Sequence, residues 1–147
     1  APHPGESPDS GDSVASRIHP GTVNFAARLA IAPALNFHQA VGPANKEARL
    51  RYLRGLWTSQ AEDMPHIEVL GGLDEASWTG IASFRLEGQA TVDDAKRLQA
   101  RLENDFGIFT VIRYGLDSGS CVRITPQVFN TPDEIASLVD TLRKLSA

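Results

Sequence analysis

The chain has 147 residues, a formal charge of −4, 41% hydrophobic residues and one cysteine. That length suits a single domain with a modest core; the acidic balance argues against a nucleic-acid surface, and a lone cysteine excludes an internal disulfide framework. No apolar run reaches membrane-spanning length and the N-terminus lacks the basic and apolar stretches of a signal peptide, so a soluble, cytoplasmic chain without membrane contact is expected, with an export signal upstream of Ala1 left open.

Residues 1–20 are rich in Pro, Ser, Gly and Asp and nearly free of large apolar side chains. Such a segment cannot offset its ordering entropy by burial and reads as an extended linker. From Asn24 to Val41 the spacing of Phe25, Leu29, Ala32, Leu35 and Val41 predicts a helix that Pro33 bends or divides. Gly42-Pro43 restarts the chain into a long second helix with Leu50, Leu53, Leu56 and Trp57 as its apolar stripe, ending near Met64-Pro65. Its charged residues, Lys46, Glu47, Arg49, Arg51 and Arg54, are expected to face solvent or another domain.

Strands are predicted over 66–70 and 78–86, bounded by Gly71-Gly72 and Glu87-Gly88. Thr91 can cap a helix that carries Val92, Ala95, Leu98, Leu102 and Phe106 on one face, with Asp93 and Asp94 near its positive end and Gly107 as its stop. Two more strands, 108–114 and 121–125, follow around a turn at Asp117-Ser118-Gly119. In the last helix Thr131 caps, Pro132 takes the first position and Glu134 reaches back as the capping-box carboxylate, while Ile135, Leu138, Val139, Leu142 and Leu145 face inward. The expected class is α+β: two N-terminal helices, then β-β-α-β-β-α, giving a small antiparallel sheet covered by helices on one face.

Within Cys121-Val122-Arg123-Ile124-Thr125, alternation puts Cys121, Arg123 and Thr125 on one strand face and Val122 and Ile124 on the other; Val111 and Arg113 likewise share a face. By pattern alone an arginine on a polar strand face is solvated, and Gly21-Thr22 is an ordinary turn. His3, His19, His38 and His66 are too dispersed for a zinc site, and Ser118 and Ser120 have no histidine in a triad-like relation.

Three segments together carry a resemblance: Gly21-Thr22 with the helical pattern behind it, the run from Phe106 to Gly115, and the run from Val122 to Leu142. In this order they are similar to the C-terminal small domain of class V, fold-type I enzymes that use pyridoxal phosphate (PLP), with the isopenicillin N epimerase-like branch nearest. The resemblance implies that residues 21–147 are such a small domain, that Arg123 grips the substrate α-carboxylate, and that Arg113 lines the same pocket. It implies that Thr22, with Gly21, lies near the cofactor phosphate. It also implies PLP in the intact enzyme, an upstream large domain, a homodimer and an amino-acid substrate. The lysine that binds PLP in this family lies upstream; Lys46, Lys96 and Lys144 resemble no such motif, so the chain alone is expected to hold no PLP and to be inactive. Desulfurases of the family place a nucleophilic cysteine between the two arginine strands, where this chain has only Leu116-Asp117-Ser118-Gly119-Ser120 before Cys121. A second reading is a stand-alone α+β binding module without catalysis.

Overall fold

The computed structural model describes residues 24–71 and 75–145. The expected linker and the Gly21-Thr22 pair lie outside the described residues. The chain divides into two units, Ala1–Ala40 and Val41–Ala147.

In the first unit Asn24 caps α1 (Phe25–Leu29), its side chain accepting from the amide of Ala27. The expected single helix is indeed divided, but the break falls at Ala30 rather than at the proline, and α2 (Ile31–Val41) follows. Pro33 lacks an amide hydrogen and its ring clashes with the carbonyl four residues earlier, that of Leu29, where α1 stops. In α2 the proline occupies the first turn, where no intrahelical donor is needed.

The second unit opens with α3 (Pro43–Ala61), with Pro43 in its first turn behind Gly42, whose φ of 87° is open to glycine. Then come β1 (Ile67–Leu70), a short 3₁₀ turn (Glu75–Ser77), β2 (Ala82–Leu86), α4 (Val92–Phe106), β3 (Val111–Arg113), β4 (Cys121–Ile124) and α5 (Pro132–Lys144). The four strands form one antiparallel sheet in the order β1-β2-β4-β3. β2 and β3 therefore run parallel with β4 between them, joined by α4 as a split β-α-β unit. All four strands are shorter than the sequence pattern suggests: His66, Trp78 to Ile81, Ile108 to Thr110, Tyr114 and Thr125 lie outside them.

Ile67, Ala82, Phe84, Val122 and Ile124 line one sheet face and share a single core with Leu53, Trp57 and Ala61 of α3, Leu98 and Leu102 of α4, and the inner side of α5. Trp57 is fully buried and meets Phe84 edge to face at 6.0 Å. All five inward positions expected in the last helix are buried. On α4 the expectation fails at its first residue, since Val92 is exposed. It fails more informatively on α3, where Arg54 does not face solvent but is only 5% exposed. Arg54 precedes Trp57, Thr58 and Ala61 by the helical repeat, and all four are buried.

Candidate functional site

Alternation that buries Phe84, Val122 and Ile124 must turn their neighbours outward. The sheet face away from α3, α4 and α5 thus carries Glu68 of β1, Ser83 and Arg85 of β2, Cys121 and Arg123 of β4, and Val111 and Arg113 of β3. Ser83 and Val111 stand directly opposite Arg123 on its two neighbouring strands, and Arg113 stands opposite Cys121. The expected substrate-binding pair, Arg123 and Arg113, is therefore brought to one face as a diagonal cross-strand pair, a separation of about 7–8 Å that both long side chains can span.

Both arginines are half-buried. The Nε of Arg123 donates to the Thr125 hydroxyl at 3.0 Å, so the residue two positions along the same strand face holds the guanidinium in place. Nη1 of Arg113 donates to the carbonyl of Ile112 at 3.0 Å. Neither forms a salt bridge with a described carboxylate. A third arginine on this face behaves differently. Arg85, 8% exposed, makes a two-pronged contact with Glu68, Nε and Nη2 each 2.6 Å from a carboxylate oxygen, and donates Nη1 to the carbonyl of Ser118. The Arg85 hydrogen bond, ahead of its charge, holds the Glu68 carboxyl below its ordinary range, and the same bond raises Arg85. Neither residue was singled out in the sequence. Both were findable, because alternation against Val69 and Phe84 places Glu68 and Arg85 on the same face, directly opposite one another.

Two local devices fix this face. Between β3 and β4 the expected turn forms, with the Gly119 amide bonded to the Leu116 carbonyl at 2.9 Å and the Ser120 amide bonded to Ala90 at 2.7 Å. Gly119 has φ 96°, and a Cβ there would stand 2.7 Å from both Cβ and O of Ala90, so the turn can pass only as glycine. Beyond β4 the capping box of α5 closes: Glu134 receives the Thr131 amide at 2.8 Å and Thr131 receives the Glu134 amide at 3.3 Å. Asn130 braces the same carboxylate, and Arg49 of α3 donates to the Asn130 carbonyl at 2.8 Å. The segment that follows Arg123 is thereby tied at both ends.

Cys121 is fully buried, and its thiol has no exposed surface from which to act as a nucleophile. The lysines lie on helices, Lys46 on α3, Lys96 on α4 and Lys144 on α5, and none is on the strands that carry the arginines. The residues at the arginine face therefore do not fit the covalent attachment of PLP, for want of an amine. Among the described residues no group of His, Cys, Asp and Glu could hold a metal ion, and no helix is long and apolar enough to cross a membrane.

No family model matches the sequence, and no curated protein matches it either. Among solved structures the chain is similar to the apo structure of a cysteine desulfurase from Thermococcus onnurineus NA1, with 18% identity and a TM-score of 0.69 over 85% of this chain and 32% of that one. At that identity the likeness establishes a shared fold. The chain spans about a third of the length of the desulfurase chain.

Proposed function

We propose that this chain is the C-terminal small domain of a class V PLP-dependent enzyme of the epimerase-like branch, and that it recognises the α-carboxylate of an amino-acid substrate. The observation that carries the reading is the pair Arg113 and Arg123 on one face of adjacent strands, neither engaged by a described carboxylate. A planar guanidinium offers paired donors to a carboxylate and keeps its charge, and the Thr125 contact pre-orients Arg123 for that task. The fold shared with a cysteine desulfurase, over about a third of that chain, supports a small-domain role. Desulfuration itself is disfavoured by the buried Cys121.

PLP, when bound in the intact enzyme, supplies an electron sink for amino-acid chemistry. Its lysine would come from an upstream large domain, as would most of its cradle. This chain would bind and orient the substrate, remain inactive alone, and in a homodimer bring Gly21 and Thr22 toward the cofactor phosphate.

The test has two arms. The reading frame upstream of Ala1 should encode a domain with a PLP-binding lysine; a start codon immediately before Ala1 would overturn the reading in favour of a stand-alone binding module. In the protein so encoded, Arg123→Ala should cost roughly 2–5 kcal/mol in substrate binding and turnover while PLP absorbance persists. Arg123→Lys should recover only part, since an ammonium cannot reproduce the bidentate fork. Kinetics unchanged in Arg123→Ala would refute the carboxylate assignment.

A further inference from the structure

Beside the edge strand β1 and the C-terminal half of α3 lies a half-open cleft of about 330 Å³, within the size range of small-molecule sites. It is separate from the Arg113 and Arg123 pair, neither of which lines it. Its wall includes Arg54, Trp78, Gly71 and three carboxylates, Glu62, Glu68 and Glu87. Arg54 is 95% buried, its guanidinium carbon lies 4.4 Å from the centre of the Trp78 ring, and its buried Nε has no hydrogen-bond partner. Its Nη2 reaches the cleft wall beside Gly71, where a Cβ would stand 3.9 Å from it.

A buried guanidinium whose Nε has no acceptor among the described residues carries a desolvation penalty, and Nη2, at the cleft wall beside the Trp78 ring, is the donor that a ligand can reach. Desolvation accordingly lowers the pKa of Arg54, with the charge of Glu62 opposing that shift and Arg51 adding to it. The missing component is an anion. The surroundings restrict which one: Glu68 is already matched by Arg85, but Glu62 and Glu87 carry negative charges that no described salt bridge neutralises. A phosphate-like dianion would be repelled by them. A molecule with one carboxylate and one ammonium would satisfy both signs.

We propose that this cleft binds a small zwitterion of the α-amino acid type, its carboxylate on Arg54 and its ammonium directed at Glu62 and Glu87. The site is independent of the catalytic role proposed above and would operate in the chain whether or not that role is correct.

The experiment is a titration of the full chain with L-alanine, acetate, ethylamine and inorganic phosphate, following the assigned indole N–H signal of Trp78 by NMR. L-Alanine should shift that signal saturably and bind at least about tenfold more tightly than acetate or ethylamine, the gain expected from a second charged contact. Phosphate should bind more weakly than L-alanine. Arg54→Gln should abolish the response, and Arg54→Lys should weaken it. Because a change at a buried position can disturb folding, Glu62→Gln and Glu87→Gln, both at exposed positions, provide the second arm: each should weaken L-alanine without weakening acetate, an anion that those carboxylates repel. No saturable shift with L-alanine, equal affinity for acetate, or tighter binding of phosphate would each overturn the proposal. So would glutamate variants that leave the affinity for L-alanine unchanged.

Discussion

Single residues on the outer sheet face divide into engaged and free charges. Glu68 and Arg85 satisfy one another, whereas Arg113 and Arg123 hold only hydroxyl or carbonyl partners. The Glu68 contact has a defined pH signature. Its folded pKa lies below the ordinary value near 4.5, so the folded state binds the proton less readily than the unfolded chain. The stabilisation is complete above the unfolded value and is lost as pH falls through the folded one. Urea midpoints measured between pH 6 and about pH 3 should therefore fall with acidity. Glu68→Gln should flatten that fall, and an unchanged slope would assign it to other carboxylates. At this scale the sequence was readable where alternation decides and misleading where a charge is buried. By residue type Arg54 is expected to face solvent or another domain, yet its repeat with Trp57 and Ala61 points inward. A stacking partner such as Trp78, 24 positions away, is not visible in any local window.

Elements were legible to the extent that their signals are local. The caps at Thr91 and Thr131 and the left-handed stop at Gly107 all form where the sequence implies, since each involves residues within one turn. Replacing Thr131 with Ala should destabilise the unit by about 1 kcal/mol in chemical denaturation, because the amides at the start of α5 lose an acceptor. A loss of helix α5 confined to its first turn would appear as faster amide exchange there. Strand ends were not legible in the same way, because pairing depends on a partner remote in sequence. Trp78 to Ile81 has strand-like composition but packs elsewhere: Gly80 passes so close to α3 that a Cβ would stand 2.5 Å from Cβ of Leu50. Gly80→Ala should cost roughly 1–3 kcal/mol through overpacking, and a neutral effect on the unfolding midpoint would show that this segment yields easily.

For the molecule as a whole, the class and the order of elements followed from periodicity, but the arrangement of strands did not. Antiparallel pairing with helices on one face was expected; the placement of β4 between β2 and β3 rests on contacts between residues about forty positions apart, such as Phe84 with Val122. Every residue of the core cluster lies at Leu53 or later, and its last member is Leu145. The core therefore draws on nearly the full length of the second unit.

The central position of β4 bears on how the chain is made. Until Cys121–Ile124 has left the ribosome, no strand pairing joins the β1–β2 pair to β3, which is linked to it only through α4. The growing polypeptide must carry an open β2 edge through the synthesis of α4 and β3, and such an edge can pair with another nascent chain. A translationally arrested chain ending at Gly119 should be cleaved rapidly in pulse proteolysis, and extension through β4 and α5 should bring protection in a single late step. Early protection of residues 67–86 in the arrested chain would mean that the first strand pair is stable before its neighbour is made.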